Sequence, residues 1–210
     1  MSRRVVEFDA AYYRRFYEDP KTRVYDQRRH TSLVSGVVHL IDWLAAPVES
    51  VLDVGAGVGW WRDWFRKNRP EVHYVSTEMN AEICRKYGHL QADITQWRSF
   101  ESFNLVICQG VLPYLTKPQI RKAIKNMAAM CGGFLYLEAI TDEDIAGSVD
   151  QTKTDIGVHG HSKEFYRGEL NKYFREVGAG LFASRSSDLV LFGLEVRPDE
   201  KKRKSARRAR

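Results

Sequence analysis

A glycine-rich loop follows the first strongly apolar segment of the chain, and its residue types are those of a ligand site. The stretch VLDVGAGVGWW, residues 51–61, has glycine at positions 55, 57 and 59, and Asp53 precedes them. Glycine adopts the positive φ angles of a tight turn and lets the backbone approach a ligand closely. A strand that ends in such a loop and leads into a helix is typical of a nucleotide-type site.

The spacing of this loop differs from that of a dinucleotide site. Dinucleotide loops have the pattern G-x-G-x-x-G and place a pyrophosphate at a helix N-terminus, where the helix dipole favours an anion. Here the third glycine comes one residue early, and Trp60 stands where the last glycine would be. Asp53 would repel a phosphate but would attract a ligand with an ammonium or a sulfonium group. A nicotinamide dehydrogenase is therefore the less favoured interpretation.

Two further acids follow predicted strands. Glu78 ends the second strand, 23 residues after Gly55, where a carboxylate can accept hydrogen bonds from both hydroxyls of an unphosphorylated ribose. Asp93 ends the third strand, and with Ile94 it can bind the exocyclic amine and a face of adenine. Each acid has a local alternative, since Glu78 can cap the helix that starts near Asn80 and Asp93 can stabilise a turn. Their order at the ends of successive strands favours a ligand site.

The elements that would position these residues form an alternating pattern. Apolar segments rich in β-branched residues alternate with segments of helical period, which predicts βαβ units in a parallel sheet. The predicted strands are 50–55, 72–77, 89–93, 103–110 and 133–140, and the predicted helices between them are 58–67, 81–87 and 118–130. The fold class is therefore α/β.

The flanking segments extend this domain on both sides. Residues 1–46 are predicted to hold two helices, one capped by Asp9 with an aromatic face and one from 26 to 44 that packs on the sheet. Residues 141–162 are polar and without period, which predicts either a lid loop or a disordered segment. A helix over 163–177, capped by Ser162, and a hairpin of 180–185 with 188–196 would complete a domain that spans 47–197.

Composition indicates a soluble globular protein. Hydrophobic residues make up 43% and charged residues 29% of the 210 residues, and no apolar run reaches the roughly 18 residues of a membrane span. No apolar signal segment follows the N-terminus, so we expect a cytoplasmic protein with no membrane partner. Cys84, Cys108 and Cys131 lack the spacing of metal ligands and are predicted to be reduced core residues, with no metal site.

The positive charge is concentrated at the C-terminus. The formal net charge is +6, yet KKRKSARRAR at the end carries seven basic and no acidic residues, so the preceding 200 residues have a net charge of −1. Such a block cannot bury a core, which predicts a disordered basic tail over 198–210. A solubility tail is the favoured interpretation, and an anchor for nucleic acid is the alternative.

From Val51 to Ile140 the sequence resembles the class I S-adenosylmethionine-dependent methyltransferases, in VLDVGAGVGWW, VSTEMN, QADI and FNLVICQGVLPYL. The resemblance implies a three-layer αβα Rossmann-like fold with a seven-stranded, mostly parallel sheet of order 3-2-1-4-5-7-6 and an antiparallel last strand. It also implies S-adenosylmethionine as cofactor and S-adenosylhomocysteine as product.

The resemblance further implies which residues bind the cofactor. Those implied for the methionine part are Asp53, Gly55, Ala56, Gly57 and Gly59. Those implied for the ribose and the adenine are Glu78, Met79, Asp93 and Ile94. Gln109, Gly110 and Val111 would leave the fourth strand beside the transferable methyl group.

Methyl transfer from a sulfonium is an in-line displacement in which the protein aligns the reactants and excludes water. A base is needed only for an acceptor that arrives protonated. The candidate catalytic residues are His159 and His161 in the predicted lid, for which simple exposure is the alternative, and Tyr13. Tyr12, Tyr13 and Tyr17 are predicted to cover the site from the N-terminal side, with a core role as the alternative, and Tyr114 to line the acceptor pocket.

The sequence favours a small-molecule acceptor methylated at oxygen or nitrogen. Enzymes that methylate exocyclic base nitrogens carry Asn or Asp and then two prolines at the exit of the fourth strand, whereas this chain has Gln109, Gly110 and Val111 there. An RNA or protein methyltransferase that uses the basic tail is the alternative. A non-catalytic regulator that binds S-adenosylmethionine is a less favoured third hypothesis.

Overall fold

A seven-stranded sheet forms the centre of the computed structural model, which describes residues 8–23, 26–44 and 46–198. The strands are β1 Ser50–Val54, β2 His73–Glu78, β3 Leu90–Gln91, β4 Phe103–Gln109, β5 Cys131–Glu138, β6 Phe174–Gly178 and β7 Leu181–Ser184. Their order is β3-β2-β1-β4-β5-β7-β6. The first five strands are parallel, and β7 is antiparallel to both β5 and β6. The predicted fold and strand order are confirmed.

Helices flank the sheet and connect its strands. They are α1 Ala10–Tyr13, α2 Gln27–Trp43, α3 Trp60–Asn68, α4 Ala81–Tyr87, α5 Lys117–Met130, α6 Asp142–Gly147 and α7 Lys163–Leu170. A π-helical turn, Arg14–Glu18, continues α1, and a 3₁₀ turn, Leu112–Tyr114, follows β4. Side chains that accept hydrogen bonds from free backbone amides begin α2, α4 and α7, namely those of Asp26, Asn80 and Ser162.

Both faces of the sheet are covered. On one face, α5 and α7 pack against a cluster that includes Leu52 and Val106, and on the other, α2 and α3 pack against Val51 and Leu105. Val51 and Leu52 are adjacent in β1, point to opposite faces and are both 0% exposed. Strands covered on two faces have to be apolar at successive positions, which explains the unbroken apolar runs in the sequence.

The end of the domain differs from the prediction. The predicted helix over 163–177 ends at Leu170, and residues 174–178 form β6 instead. The predicted hairpin of 180–185 with 188–196 is also wrong, because β7 pairs with β6 and residues 188–196 form no strand. Phe174 packs in the cluster with α5 whereas Val177 packs in the cluster with α2. Residues three positions apart lie on one face of a helix but on opposite faces of a strand. The spacing of Phe174 and Val177 therefore fits this edge strand as well as the predicted helix.

The segment after β5 is not entirely irregular. Helix α6 occupies its start, where the Thr141 hydroxyl accepts from the amide of Asp144 at 3.2 Å. Within the described ranges, no helix is long and apolar enough to cross a membrane. Cys84, Cys108 and Cys131 are buried free thiols. Residues 1–7 and 199–210, the latter including nearly all of the predicted basic tail, lie outside the described residues.

Candidate active site

The glycine loop connects β1 to α3 at the carboxyl edge of the sheet. All three glycines have a positive φ, which is 70° at Gly55, 54° at Gly57 and 79° at Gly59. The amides of Gly55 and Ala56 both donate to the carbonyl oxygen of Thr77, each at 2.9 Å, and so fix the loop to the end of β2. A Cβ on Gly55 would lie 2.3 Å from Cγ2 of Val111. Position 55 therefore requires glycine both for its conformation and for the close approach of the segment after β4.

Glu78 lies at the carboxyl end of β2, beneath the glycine loop, and is 8% exposed. Its Oε2 accepts from the amide of Gly57 at 3.1 Å, and its Oε1 accepts from the amide of Met79 at 2.7 Å. Capping of α4 falls instead to Asn80, whose side-chain oxygen accepts from the amides of the first turn. The carboxylate of Glu78 is thus held in a fixed position at the edge of the site.

Asp53 lies in β1 and is only 2% exposed. The hydroxyl of Tyr74 donates to its Oδ2 at 2.7 Å. Burial raises the pKa of Asp53 to about 7, and Glu78 adds to the rise, while the Tyr74 hydrogen bond and Arg62 oppose it. Because the protein compensates the ionised carboxylate incompletely, a ligand with a positive charge near Asp53 would stabilise it.

A cavity extends from the glycine loop to the ends of β2 and β3. The predicted cofactor-binding residues that line it are Gly55, Gly57, Glu78, Met79, Asp93, Ile94, Gln109, Gly110 and Val111. A smaller cavity beside Asp53 and Ala56 shares Gly55, Gln109 and Gly110 with it. We call the two together the donor cavity, after the methyl donor that the sequence predicts there. Its mixed polar and apolar walls suit a nucleoside-like ligand.

A second cavity, which we call the acceptor cavity after the predicted methyl acceptor, lies over the ends of β4 and β5. It is roofed by residues between Asp144 and Val158, in the predicted lid segment. Four residues line both this cavity and the donor cavity, namely Tyr12, Tyr17, Gly110 and Tyr114. The two cavities therefore adjoin each other at these four residues, which we call the shared wall.

Tyrosines from α1 and the following π-helical turn cover the glycine loop. A Cβ on Gly57 would lie 3.6 Å from the Tyr17 hydroxyl oxygen and 3.7 Å from Cε1 of Tyr13. The hydroxyl oxygens of Tyr12 and Tyr114 are 2.7 Å apart, and the Tyr114 hydroxyl donates to Oδ2 of Asp155 at 3.0 Å. Burial raises the pKa of Tyr12 to about 12 and also raises the pKa of Tyr13 and Tyr17. At neutral pH these tyrosines are therefore neutral hydrogen-bonding groups.

A family model described as a methyltransferase domain matches residues 24–182, about three quarters of the chain. The chain belongs to this methyltransferase family. The predicted resemblance to the class I S-adenosylmethionine-dependent methyltransferases is thereby confirmed, and with it the enzyme class. A search of curated protein sequences found no significant match.

Solved structures of similar fold agree with this assignment. The PH0226 protein of Pyrococcus horikoshii has 16% identity and a TM-score of 0.60, with 84% of this chain and 97% of that chain covered. The N-methyltransferase NodS of Bradyrhizobium japonicum, solved with S-adenosylhomocysteine, has 19% identity and a TM-score of 0.56, with 75% and 87% covered. Magnesium protoporphyrin IX methyltransferase of Synechocystis, solved with S-adenosylmethionine, has 17% identity and a TM-score of 0.55, with 83% and 89% covered. Family and fold together support S-adenosylmethionine as cofactor and S-adenosylhomocysteine as product.

Some predicted residues of the methyltransferase lie away from both cavities. Gly59 precedes α3 and packs on Arg62, whose Nη2 would lie 2.6 Å from a Cβ at position 59. The ring of His161 is 5% exposed, and its Nε2 donates to the carbonyl oxygen of Leu115 at 2.8 Å. The His159 ring stacks near that of His161, with centroids 6.2 Å apart. Neither histidine is among the residues that line the donor or the acceptor cavity.

Two further residues at the candidate site of the methyltransferase, His30 and Glu138, were not indicated by the sequence. His30 of α2 is 4% exposed, and its Nε2 lies 3.1 Å from Oε1 of Gln109, which also accepts from Nε1 of Trp61 at 2.7 Å. Gln109 in turn donates through Nε2 to Oε2 of Glu138 at 3.3 Å. Glu138 ends β5, so the rule that strand ends carry ligands would have found it. His30 has no comparable local signal, because only the packing of α2 on the sheet brings it to Gln109.

Proposed function

We propose that this methyltransferase transfers the methyl group of S-adenosylmethionine to an oxygen or nitrogen atom of a small-molecule acceptor. The observation that supports this most directly is the shared wall between the donor and the acceptor cavities, to which Gly110 contributes its backbone. In-line transfer requires the two reactants to approach each other within a few ångströms. Two cavities that adjoin at common lining residues would bring the methyl donor and the acceptor close together.

The side chains of the donor cavity fit the parts of the cofactor. Glu78 would accept hydrogen bonds from the ribose hydroxyls, and Met79, Asp93 and Ile94 would contact the adenine. The buried carboxylate of Asp53, next to Ala56, would bind the ammonium group of the methionine part. The incomplete compensation of its charge within the protein is the feature that suits this cationic group.

The remaining residues would align the reactants and exclude water. When bound, S-adenosylmethionine supplies a methyl carbon made electrophilic by the adjacent sulfonium. Gln109, Gly110 and Val111 would flank that methyl group, since all three line the donor cavity at the exit of β4. Tyr12, Tyr13 and Tyr17 would cover the cofactor and keep water from it.

The carboxylates that line the acceptor cavity are better placed to act as a base than the histidines and the tyrosine that the sequence suggested. His159 and His161 do not line it, and His161 is engaged with Leu115. Tyr13 lines the donor cavity only, and its raised pKa keeps its proton in place at neutral pH. Glu138 and Asp155 line the acceptor cavity directly.

A small acceptor is favoured over RNA or a protein. The acceptor cavity lies between Tyr12 and Phe16 on one side and residues of the 144–158 segment on the other, a space that suits a small molecule. The alternative depends on the basic tail at residues 201–210, and the described residues lend it no further support.

Calorimetric titration of the full chain with S-adenosylmethionine, S-adenosylhomocysteine and NAD tests the donor site. We expect both sulfur compounds to bind and NAD not to bind. Glu78→Gln should weaken binding about 10-fold to 100-fold, because a buried charged acceptor of two ribose hydroxyls is lost. Glu82→Gln, which removes an exposed carboxylate four residues away, is the matched control and should bind normally. Binding of NAD alone, or equal affinities in both variants, would contradict the proposal.

A further inference from the structure

The acceptor cavity combines aromatic walls with negative charge. Its aromatic residues are Tyr12, Phe16, Tyr17 and Tyr114, and its carboxylates are Glu138, Asp144 and Asp155. Among the described residues that line it, there is no lysine or arginine. Arg15 lies over the ring of Phe16 at 5.0 Å, and Arg29 is near enough to influence Glu138, but neither lines the cavity.

The three carboxylates differ in how far the protein already uses them. Asp144 accepts from the amide and the hydroxyl of Thr141 at 3.0 and 2.8 Å, and so caps its own helix. Asp155 accepts from the Tyr114 hydroxyl and, at 2.8 Å, from the amide of Gly157. Glu138 is more exposed than either and shares only its Oε2 with Gln109 and Tyr136. Glu138 is therefore the carboxylate best placed to meet a ligand.

Three of the aromatic residues, Phe16, Tyr12 and Tyr114, contact one another in succession where the two cavities adjoin. The ring centroids of Tyr12 and Phe16 are 4.8 Å apart, and the Tyr12 hydroxyl meets that of Tyr114. The faces of aromatic rings attract cations, and recognition of alkylated ammonium groups by several rings is a common use of this attraction. Carboxylates beside such rings add a Coulombic attraction that a neutral or anionic ligand does not gain.

We propose that the methyl acceptor is an amine, which binds as an ammonium ion between Tyr12, Tyr17 and Tyr114 with Glu138 and Asp155 as its counter-charges. This inference rests on the proposed function, since it names the acceptor class of the same site. An anionic acceptor would meet only repulsion from the three carboxylates. A neutral alcohol would gain nothing from them beyond ordinary hydrogen bonds.

The amine has to lose a proton before its nitrogen can act as a nucleophile. Glu138 accepts that proton, and the freed electron pair of nitrogen forms the new bond to the methyl carbon. The bond from that carbon to sulfur breaks, and its electron pair stays on sulfur as S-adenosylhomocysteine forms. The product leaves as a methylated ammonium ion, and Glu138 returns its proton to solvent. Charge and atoms balance with one proton released in each turnover.

The test uses a pair of probes of equal shape and different charge. Choline carries a quaternary ammonium that cannot be methylated further, and 3,3-dimethylbutan-1-ol is its neutral isostere. Both are titrated into the full chain saturated with S-adenosylhomocysteine, so that only the acceptor cavity is free. We expect choline to bind at least about 10-fold more tightly than the alcohol. Glu138→Gln and Asp155→Asn should each reduce that preference several-fold and leave S-adenosylhomocysteine binding unchanged.

Glu164→Gln is the control, because it removes an exposed carboxylate of α7 outside both cavities and should preserve the preference for choline. Equal binding of choline and the alcohol to the loaded protein, or tighter binding of the alcohol, would overturn the amine proposal alone. Failure of S-adenosylhomocysteine to bind would instead overturn the proposed function. Since S-adenosylhomocysteine is titrated first, the two failures are distinguished. If Glu164→Gln also lost the preference for choline, that preference would come from the overall charge of the protein. This result would refute the ammonium site at Glu138 and Asp155.

Discussion

Asp53→Asn removes a buried carboxyl whose ionisation in the folded protein is strongly unfavourable. Burial raises the pKa of Asp53 from 3.8 to about 7, and a difference of about 3 pKa units corresponds to about 4 kcal/mol. The native state holds its proton more tightly than the unfolded chain does. This group's contribution to stability is therefore complete below about pH 4, falls as the pH rises, and is lost above about pH 7. Between these values the slope is about 1.4 kcal/mol per pH unit.

The assay is urea unfolding of the cofactor-free wild type and the Asn variant at intervals from pH 5 to pH 8. Asparagine keeps a side-chain oxygen for the Tyr74 hydroxyl, so the hydrogen bond at 2.7 Å can persist. We expect the difference in free energy of unfolding, variant minus wild type, to rise by about 2 kcal/mol from pH 5 to pH 7 and to level off near pH 8. A difference that is constant over this range would refute the argument that the buried carboxyl is uncompensated.

Asp53→Asn should stabilise the cofactor-free protein near neutral pH but weaken the binding of S-adenosylmethionine. An ammonium group beside Asp53 favours the ionised carboxylate, so binding of S-adenosylmethionine to the wild type at pH 6 should release a proton. Its affinity should accordingly rise between pH 5.5 and pH 7, and this dependence should disappear in Asp53→Asn. The ammonium keeps its charge during methyl transfer, so its contacts are equal in the ground and transition states. The variant should then show a raised KM for the donor and a nearly unchanged kcat.

Gly55 of the glycine loop, Tyr114 between the two cavities and the basic residues 201–210 can each be tested by a single change. Gly55→Ala should destabilise the protein by at least about 1–2 kcal/mol in thermal unfolding, because of its φ of 70° and the contact with Val111, whereas Gly168→Ala in α7, with open space around it, should be neutral or stabilising. Tyr114→Phe should lower kcat with little change in S-adenosylhomocysteine affinity, since it removes the hydroxyl that joins Tyr12 to Asp155 at the shared wall; equal losses in both would assign Tyr114 to the donor instead. Deletion of residues 201–210 should leave methylation of small amines intact, and a steep loss of RNA affinity and of its salt dependence, accompanied by lost activity, would favour the macromolecular alternative.

The central strands of the sheet were predictable because both of their faces are buried. β1, β4 and β5 are buried on both faces, so their apolar runs could not be mistaken for surface segments. The edge of the sheet has no such signature. Phe174 and Val177 satisfy a helical and an extended spacing equally well, and the choice depends on pairing with β7. Positive φ angles at Gly178, Ala179 and Gly180 allow the tight turn that makes this pairing possible.

The donor and acceptor halves of the site differ in the same way. Donor residues such as Asp53, Glu78 and Asp93 lie in or directly after a strand, so their order along the sequence largely sets their order in space. Their individual contacts with the cofactor stay predictions. At the acceptor end, Tyr12 meets Tyr114 across 102 positions of sequence, and Tyr114 meets Asp155 across 41.

No local pattern can encode such pairings, because each depends on where α1 and the segment after β5 come to rest on the sheet. The consequence is chemical as well as structural. Tyr12 and Tyr17 line both cavities, so any movement of α1 and its π-helical turn that admits the cofactor also changes the walls of the acceptor site. We therefore expect binding in the donor cavity and binding in the acceptor cavity to be coupled through this segment.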